Sequence, residues 1–556
     1  METKLAVPIA AKDLDKARGQ VKAALGAGAE MLELRTDYLE NLSADLVKNL
    51  IAYVKNAGDK QLPIIVTCRD EQQGGVMGYP QQLRIDVLTS ALRAGAEFID
   101  FEYDNYLSTE NQEKIRLALS QSSKGRLILS AHNFQTKFAN IGKLYRNILA
   151  VCPEAIPKLV YTANHINDCF EAFDLLHQSS GERIVFCMGE AGLISRIIAK
   201  KLNSFVTFAS INEQSATAPG QLTIEQFKKL YRYDYIKSDT ELFGVIANPV
   251  GHSLSPAIHN ACFAEKRLNK LYLPLLVEGG QQEFDLFLHN ALFRKWLNFG
   301  GFSVTIPHKQ NALNYVKQKQ GFVEPLAEKI GAANTIVCRV GFSPPSKIKN
   351  GGASPTLRAN TVVINESRAT NDERRIYAYN TDYSAALDAI TSTLGINRAD
   401  LNGLRVAVIG AGGVARAIVA GLSDAGARIT IYNRTVTRGE KLAGEFDCDF
   451  APLDDLQNVD AKLLINCTSV GMHPNVDATP VPQEYLKKDM AVFDTVYNPA
   501  KTLLLKEAKK KRAKTIDGIS MFVNQGLAQF KLFTNTDGDA ELMRNTICNY
   551  LYGQSS

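Results

Sequence analysis

The sequence predicts an α/β protein of several domains, the first of which is a closed (β/α)₈ barrel. Two observations predict the barrel. Eight β-like runs alternate with helical stretches in the first ~215 residues, at a repeat of about 29 residues, which is typical of parallel strands joined by helices. Charged or polar residues stand at the trailing ends of successive runs, where such a barrel carries its chemistry.

The eight runs are short and apolar, and they begin near Leu5, Glu30, Leu62, Phe98, Arg126, Ala155, Arg183 and Phe205. The eighth, Phe205–Ile211, leads into Ser215–Gln221 and then an apolar helix that ends near Tyr235. Because Lys237–Thr240 is short and polar, we place the boundary of the first domain there and assign residues 1–236 to the barrel.

A second series of strands begins at Leu242–Ala247, and residues 242–385 are expected to form a compact α/β domain. A further strand–turn–helix pattern starts at Arg405 and predicts a Rossmann domain over residues 386–526. The chain reads as helix from about Gly526, so residues 527–556 are expected to pack back on the second domain. The segment Gly341–Arg375 is rich in Ser, Pro and Gly and predicts a surface insertion, with Thr361–Ile364 as an added strand.

Composition argues against several classes of partner. The net charge of +5 over 556 residues, with no basic block, disfavours nucleic acid, and no apolar stretch is long enough to span a membrane. The nine cysteines form no CxxC pair, and the eight histidines show no HExxH motif, so we expect no metal site and a reducing compartment. The first strand follows Met1 closely, which favours a cytoplasmic protein. A monomer is compatible with the sequence.

Lys158 enters the sixth predicted strand and is a candidate for imine formation with a carbonyl substrate. A lone lysine here would be interpreted as a surface residue, but His132 and Glu102 end the two preceding strands. An amine, an imidazole that transfers protons and a carboxylate that orients the imidazole make a working set. Nearby arginines would repel an ammonium and bind a substrate carboxylate, and the candidates are Arg35, Arg69 and Arg196. These residues predict a carboxylated ketone as the substrate.

These residues lie in motifs that resemble the type I 3-dehydroquinate dehydratases: Glu33-Leu-Arg35, Thr67-Cys-Arg69, Phe101-Glu102, Ser130-Ala-His132, Ile156-Pro-Lys158, Leu193-Ile-Ser-Arg196 and Thr217-Ala-Pro-Gly-Gln221. The resemblance implies that Lys158 forms the imine, that His132 moves the protons and that Glu102 orients His132. It also implies that Arg196, Thr217 and Gln221 hold the substrate carboxylate and hydroxyls, with Thr217–Gln221 as a lid. Glu33, Arg35 and Arg69 would complete the polar floor. Gln73-Gly-Gly75 departs from the usual Glu-Gly-Gly of this family.

A glycine-rich turn follows the strand that starts at Arg405, and it comprises Gly410, Ala411, Gly412, Gly413, Val414 and Ala415. This GxGxxA pattern before a helix predicts a dinucleotide site. The next strand ends in Asn433-Arg434-Thr435, with Arg438 nearby, where an NAD-specific site would carry Asp or Glu. An arginine suits a 2′-phosphate, so the sequence favours NADP as the cofactor.

Residues 242–556 resemble shikimate dehydrogenases through Ser253-Leu-Ser255, Thr305-Ile-Pro-His-Lys309, Asn334-Thr335, Asn380-Thr-Asp382, Asn466-Cys-Thr468 and Tyr497-Asn-Pro499. The resemblance implies that Lys309 and Asp382 are the catalytic pair and that Thr468 and Met521 lie near the nicotinamide. The substrate would be held by Ser253, Ser255, Thr305, Asn334, Tyr497, Gln525 and Gln529.

The two resemblances together predict a bifunctional enzyme that makes 3-dehydroshikimate from 3-dehydroquinate and reduces it to shikimate with NADPH. Two alternatives remain at this point. One is a dehydratase fused to a quinate dehydrogenase, although Ser255 and Thr335 fit the shikimate pattern. The other is a non-catalytic metabolite sensor on the same folds, which the intact candidate catalytic residues disfavour. The expected partners are small-molecule substrates, with neither nucleic acid nor membrane.

Overall fold

The structure, a computed structural model, describes residues 2–58, 61–339 and 375–553. It divides into two compact units. One comprises Met1–Glu241, Asn269–Glu278 and Leu286–Asn298, and the other comprises Leu242–Leu268, Gly279–Asp285 and Phe299–Ser556. The predicted added strand at Thr361–Ile364 and most of the predicted insertion lie outside the described residues.

Eight parallel strands form the first sheet in the order β7-β6-β5-β4-β3-β2-β1-β8. Their bounds are β1 Lys4–Ile9, β2 Met31–Arg35, β3 Ile64–Thr67, β4 Phe98–Glu102, β5 Arg126–Asn133, β6 Ile156–Thr162, β7 Ile184–Met188 and β8 Val206–Phe208. The main chain of Phe205 donates to the carbonyl of Arg183 at 2.7 Å, which joins the sheet's two ends. The predicted eight-stranded barrel is therefore confirmed.

Helices separate these strands as the sequence predicts. They are α1 Leu14–Ala27, α2 Ala44–Asn56, α3 Gln81–Arg93, α4 Tyr103–Tyr106, α5 Thr109–Ser120, α6 Ile141–Val151, α7 Cys169–Gln178 and α8 Leu193–Ile197. The interior of the barrel is filled by side chains from alternate strand positions, among them Ile65, Phe98, Ile128 and Ile156. This alternation means that residues two and four positions further along each strand also face inward.

Two expectations about the end of the barrel are wrong. The eighth strand is shorter than Phe205–Ile211, because Ser210 leaves the barrel and exchanges main-chain hydrogen bonds with the segment Leu222–Ile224. The apolar helix expected to end near Tyr235 is instead a turn of π-helix at Gln226–Leu230 and a 3₁₀ turn at Tyr233–Tyr235. Arg232 separates them with a left-handed φ of 54°, which no continuous helix accommodates.

The remaining strands form two six-stranded sheets, in the orders β10-β9-β11-β13-β14-β12 and β17-β16-β15-β18-β19-β20. The first sheet contains β9 Glu241–Ala247, β10 Lys270–Leu276, β11 Phe299–Val304, β12 Phe322–Val323, β13 Thr335–Arg339 and β14 Arg375–Tyr379. The second, all parallel, contains β15 Arg405–Ile409, β16 Arg428–Asn433, β17 Asp449–Pro452, β18 Leu463–Asn466, β19 Ala491–Asp494 and β20 Lys514–Ile516. Its strand order is that of the predicted Rossmann domain.

Ten helices accompany these strands in the described residues: α9 Ser255–Glu265, α10 Gln281–Phe293, α11 Lys309–Gln318, α12 Pro325–Ile330, α13 Asp382–Leu394, α14 Gly413–Asp424, α15 Val436–Phe446, α16 Leu503–Lys510, α17 Gly518–Thr534 and α18 Ala540–Tyr552. The C-terminal helical region begins earlier than the expected Gly526. Asp517 caps α17, because its carboxylate accepts from the main chain of Ser520 at 2.9 Å. Helix α18 packs on α9, and α17 contacts β11 and β13. No helix among the described residues is long and apolar enough to cross a membrane.

Candidate active sites

Lys158 lies on β6 inside the barrel and is held between two carboxylates. Its Nζ donates to Asp100 Oδ2 at 2.7 Å and to Glu33 Oε1 at 3.3 Å, and the side chain is almost fully buried. Thr67 Oγ1 donates to Glu33 at 2.8 Å and fixes that carboxylate. The charges of Arg69 and Lys158 hold the pKa of Asp100 well below its usual range despite its burial. The sequence predicts nearby arginines that repel the ammonium, whereas the groups in direct contact with it are the carboxylates of Asp100 and Glu33.

Arg69 connects this ion pair to Glu102. Its guanidinium contacts Asp100 Oδ2 and Glu102 Oε1, each at 2.9 Å, and it donates to Ser130 Oγ at 2.6 Å. Glu102 also accepts from Arg84 and from the main chain of Asp70. The sequence predicts a contact between Glu102 and the imidazole of His132. In the structure the Glu102 carboxylate instead contacts the guanidinium groups of Arg69 and Arg84.

The group against the imidazole of His132 is Gln73. Gln73 Oε1 lies 2.9 Å from the main-chain nitrogen of His132 and 3.3 Å from its Nδ1. Loss of hydration, and then the positive charges of Arg69 and Lys158, set the pKa of His132 well below its ordinary value. A neutral imidazole at neutral pH is the form that can accept a proton.

Arg196 is a buried cation without an anion among the described residues. Only 1% of the residue is exposed, and neither Nε nor Nη2 has a hydrogen-bond partner in that part of the chain. Its guanidinium carbon lies 4.4 Å from the ring centre of Phe186. Burial lowers the pKa of Arg196 to about 10. Arg35 differs, because its guanidinium already forms a two-point contact with Asp37 at 2.7 and 2.8 Å. Arg196 is thus suited to an incoming carboxylate.

A cavity opens over these groups at the carboxyl ends of the strands. Its lining includes eight of the nine predicted barrel residues: Glu33, Arg35, Arg69, His132, Lys158, Arg196, Thr217 and Gln221. The ninth, Glu102, is not in the lining but contacts Arg69, which is. Thr217 and Gln221 close their loop, since Gln221 Oε1 accepts from the main chain of Thr217 at 2.8 Å. The cavity therefore places an amine, an imidazole and a guanidinium with two nitrogen atoms unpaired within the described residues around one space.

The second unit brings Lys309 and Asp382 together, although they are 73 residues apart in the chain. Lys309 Nζ donates to Asp382 Oδ2 at 2.5 Å, and both residues are buried. Lys309 begins α11 and Asp382 begins α13, so two helix starts present the pair. An ammonium and a carboxylate in direct contact can hold and pass on a proton.

A buried amide network lies beside this pair. Asn334 donates through Nδ2 to Thr381 Oγ1 at 2.9 Å, and its Oδ1 accepts from Thr335 Oγ1 at 2.8 Å. Gln529 on α17 donates to Thr335 Oγ1 at 3.1 Å and accepts from Ser303 Oγ at 2.6 Å. These bonds fix Asn334 and Gln529, the residue types that recognise hydroxyl groups.

The other predicted substrate residues belong to segments of the same unit. Thr305 follows β11, and Ser253 and Ser255 lie at the start of α9, with Ser253 Oγ accepting from the main chain of Ser255 at 3.3 Å. Tyr497 stacks on Phe522 with ring centres 4.3 Å apart, and burial raises the pKa of Tyr497 to about 12. Gln525 is buried and donates to the carbonyl of Phe522 at 2.8 Å.

The glycine-rich turn joins β15 to α14 as predicted. Gly410 has a φ of +106°, and a Cβ there would lie 3.0 Å from the methyl group of Thr468. A Cβ on Gly412 would meet nothing within 4 Å, so space is open in front of the helix start. A Cβ on Gly413 would lie 3.4 Å from Lys309 Cδ, which brings the turn next to the lysine–aspartate pair.

Exposed arginines follow β16. Arg434, Thr435 and Arg438 are exposed, and Asn433 donates through its side chain to the carbonyl of Thr435 at 2.7 Å. Thr468 Oγ1 donates to Asn466 at 2.7 Å. Met521 differs from the other predicted cofactor residues, because it is 6% exposed and packs in the core of the Rossmann sheet.

Sequence reasoning missed two residues of the first site, Asp100 and Gln73. The signal for Asp100 was present in the alternation along β4. Asp100 is two residues after Phe98, whose side chain fills the barrel interior, so its side chain also faces inward, and it lies opposite Thr67 on β3. The signal for Gln73 was its place in a glycine turn directly after Arg69. Its contact with His132 depends on how that turn folds over the barrel, which spacing alone does not give.

Comparisons with known proteins match successive parts of the chain to different families. Residues 5–238 match the family described as Type I 3-dehydroquinase. Residues 245–336 match the Shikimate dehydrogenase substrate binding domain, 393–494 match Shikimate / quinate 5-dehydrogenase, and 518–548 match the Shikimate 5′-dehydrogenase C-terminal domain. The fold and sites thus define a barrel dehydratase followed by a two-domain dehydrogenase.

Individual relatives cover one part or the whole of the chain. The bifunctional 3-dehydroquinate dehydratase/shikimate dehydrogenase, chloroplastic, of Arabidopsis thaliana is 31% identical over 98% of this chain and 84% of its own length. The shikimate dehydrogenase (NADP(+)) of Methanosarcina barkeri is 37% identical over 56% of this chain and 99% of its own. A crystal structure of the shikimate 5-dehydrogenase of Thermus thermophilus with NADP(H) and shikimate is 30% identical over 55% of this chain and 98% of its own, with a TM-score of 0.43. The chain belongs to the family of bifunctional 3-dehydroquinate dehydratase/shikimate dehydrogenases.

Proposed function

We propose that this chain catalyses two consecutive steps, the dehydration of 3-dehydroquinate to 3-dehydroshikimate in the barrel and the NADPH-dependent reduction of 3-dehydroshikimate to shikimate in the second unit. The observation that carries the proposal is the barrel cavity, which is lined by buried Lys158, half-buried His132 and Arg196, whose Nε and Nη2 have no partner in the described part of the chain. The contact between Lys309 and Asp382 supports the second step.

In the first step, Arg196 binds the carboxylate of dehydroquinate and so places the ketone at Lys158. The Lys158 amine, after giving up a proton, attacks the ketone carbon, and the oxygen leaves as water to form an iminium. His132 Nε2 removes a proton from the neighbouring carbon, which gives an enamine. The enamine expels the hydroxyl on the next carbon, which leaves as water with the proton that His132 returns. Hydrolysis then frees dehydroshikimate and restores the amine.

Asp100 and Glu33 have a role in this step, because they contact the ammonium of Lys158 in the free protein. A carboxylate beside the iminium stabilises the positive charge that forms on the lysine nitrogen. Arg69 in turn holds Asp100 ionised. We propose that Glu102 acts indirectly, by fixing the position of Arg69. Arg35, Thr217 and Gln221 are proposed to hold the substrate hydroxyls.

The residues after β15 and β16 fit a dinucleotide with a 2′-phosphate. Gly412 leaves open space at the start of α14, where the first amide groups of a helix have no intrahelical partner and favour phosphate. Exposed Arg434 and Arg438, with Asn433 and Thr435, suit the 2′-phosphate and the adenosine end. The remaining members of this proposed site are Gly410, Ala411, Gly413, Val414, Ala415, Thr468 and Met521. When bound, NADPH supplies a hydride to the carbonyl carbon of the substrate.

In the second step, Lys309 donates a hydrogen bond to the carbonyl oxygen and delivers the proton that the new hydroxyl needs. Asp382 keeps Lys309 in place through their 2.5 Å contact, and its negative charge balances the positive charge of the Lys309 ammonium. The substrate hydroxyls and carboxylate are assigned to Ser253, Ser255, Thr305, Asn334, Tyr497, Gln525 and Gln529. The names of the Arabidopsis and Methanosarcina relatives favour shikimate over quinate as the product.

We propose residues 1–236 as the dehydratase, 242–385 with 527–556 as the substrate domain of the dehydrogenase, and 386–526 as its NADP domain. The packing of α18 on α9 supports assigning the C-terminus to the substrate domain. A cytoplasmic location and a monomer are also proposals. All nine cysteines are free, which suits a reducing compartment, whereas the name of the Arabidopsis relative places that protein in the chloroplast.

The test is reductive trapping at Lys158. Borohydride added with dehydroquinate should leave a stable adduct on Lys158 that mass spectrometry of a proteolytic digest detects. Lys158→Ala should lose the adduct and the dehydratase activity but keep shikimate oxidation, since that reaction belongs to the second unit. Full dehydratase activity in Lys158→Ala would contradict the imine mechanism.

A further inference from the structure

Asp494 ends β19 and is a buried carboxylate that neither proposed reaction uses. None of its surface is exposed, and burial raises its pKa to about 6, so above neutral pH the carboxylate is ionised and only accepts hydrogen bonds. Its donors among the described residues are all uncharged: a side-chain amide, a main-chain amide and a hydroxyl. Because burying a charge without an opposite charge is costly, this carboxylate depends on well-placed donors.

The side-chain amide belongs to the turn proposed to face the cofactor, residues 466–470, which we call the cofactor-side turn. Asn466 donates through Nδ2 to Asp494 Oδ1 at 2.9 Å and to the carbonyl of Val470 at 3.3 Å. Its Oδ1 is thereby directed to Thr468, whose main chain and hydroxyl donate to it at 2.9 and 2.7 Å. Because a carboxylate cannot bond to the oxygen of an amide, Asp494 sets which way the Asn466 amide faces, and so where Thr468 lies.

The main-chain amide belongs to the turn proposed to face the substrate, residues 494–498, which we call the substrate-side turn. Val496, one residue before Tyr497, donates to Asp494 Oδ1 at 3.1 Å. A Cβ on Gly518 would lie 2.5 Å from the carbonyl oxygen of Val496, so α17, which carries Gln525, begins directly against this turn. One carboxylate oxygen therefore contacts both turns.

We propose that Asp494 is a positioning residue of the dehydrogenase, which fixes the cofactor-side and substrate-side turns relative to each other, so that one carboxylate serves the binding of both NADP and the substrate. This inference rests on the proposed function of the second unit and deepens it. Asp494 acts through Asn466 and Val496, whereas proton delivery stays with Lys309 and Asp382. Its loss should therefore raise KM for both ligands more than it lowers kcat.

The second oxygen of the carboxylate provides a matched control. Asp494 Oδ2 accepts from Thr502 Oγ1 at 2.6 Å, and Thr502 also caps α16 by accepting from the main chain of Leu505 at 3.4 Å. Thr502 belongs to neither turn. Thr502→Val removes the hydroxyl at nearly the same shape, so it should lower the Tm without changing either KM.

The experiment follows shikimate oxidation by the full chain above neutral pH, with Asp494→Leu, Asp494→Asn, Asn466→Ala and Thr502→Val. Leucine keeps the branched shape but has no acceptor, so KM for NADP and KM for shikimate should each rise about 10-fold or more, as expected for loss of hydrogen bonds to a charged group. An asparagine can turn its oxygen to Asn466 and Val496 while its amide donates to the Thr502 hydroxyl, so Asp494→Asn should remain near the wild type. Asn466→Ala removes only the cofactor-side contact and should raise KM for NADP alone.

The Tm and the dehydratase activity of the barrel are measured for every variant, so that a protein that does not fold is recognised. A folded Asp494→Leu protein with either KM unchanged overturns the positioning role, as does a Thr502→Val protein whose KM values rise as far. If Asp494→Leu does not fold, an Asn466→Ala protein that leaves KM for NADP unchanged, or raises both KM values equally, overturns it. If Lys309→Ala has lost shikimate oxidation, the proposed reduction stands and only the role of Asp494 is wrong; if Lys309→Ala keeps its kcat, the proposed reaction itself is wrong.

Discussion

Replacing Arg196 by methionine should stabilise the barrel while weakening its first reaction. Methionine is a linear apolar side chain that can occupy much of the volume of the arginine stem. The guanidinium of Arg196 is buried with two nitrogen atoms unpaired within the described structure, so its charge is a cost to folding in the absence of substrate. A substrate carboxylate removes that cost, which is why the residue favours binding.

The size of the effect follows from the same burial. The pKa of Arg196 is lowered to about 10. Each pH unit below the ordinary value of arginine corresponds to about 1.4 kcal/mol, so the charged form costs the folded barrel about 3 kcal/mol. The stacking on Phe186, worth about 0.5–2 kcal/mol, is lost in the variant and offsets part of the gain. We expect a net stabilisation of about 1–3 kcal/mol.

Differential scanning calorimetry of the full chain should show this gain in the barrel's transition, as a Tm higher by about 2–4 °C for each kcal/mol. The same variant should lose charge-assisted hydrogen bonds to the substrate, each worth about 1.5–3 kcal/mol, so kcat/KM for dehydroquinate should fall about 100-fold or more.

Arg183→Met is the matched control. Arg183 is also buried in the barrel, but its guanidinium donates to the carbonyls of Gly181 and Leu176. Its removal takes the donor from the carbonyl of buried Leu176, so Arg183→Met should lower the Tm. An Arg196→Met protein that is less stable than the wild type, or that keeps its kcat/KM, would refute the reasoning.

The remaining predictions concern the dehydrogenase. Arg434→Ala should raise KM for NADP(H) far more than for NAD(H), because the arginine meets the 2′-phosphate; equal effects on the two cofactors in steady-state kinetics would show that it does not. Lys309→Ala should lower kcat for shikimate oxidation by about 100-fold or more, as expected for loss of a general acid–base group, with little change in the Kd of NADP measured by titration. A kcat near that of the wild type would remove Lys309 from proton delivery.

The barrel was predictable from sequence because its signals are local and repeated. Each strand is a short apolar run, and a parallel sheet puts the trailing ends of all runs at one edge. That geometry gathers Lys158, His132 and Arg196 from distant positions without any knowledge of loops. The eighth strand was overestimated because Phe208–Ile211 continues to look apolar, whereas Ser210 pairs with Leu222–Ile224 and not with the barrel.

The hydrogen-bond partners inside the site were less predictable. A carboxylate near an imidazole suggested that Glu102 orients His132, but Arg84 on α3 lies close enough to take that carboxylate. Whether the Glu102 carboxylate accepts hydrogen bonds from an arginine or from a histidine depends on the directions of the side chains and on the fold of the turn after β3. Neither is encoded in spacing, so the contact between Gln73 and His132 was found only in the structure.

The central claim is that one chain carries out both reactions, and it is tested most directly by supplying only the first substrate. Purified protein given dehydroquinate and NADPH should oxidise NADPH and accumulate shikimate, with no second enzyme present. Lys158→Ala should stop this conversion yet still reduce added dehydroshikimate, and Lys309→Ala should accumulate dehydroshikimate. Formation of dehydroshikimate by the wild-type protein without NADPH oxidation, or oxidation of NADPH without shikimate, would contradict the account.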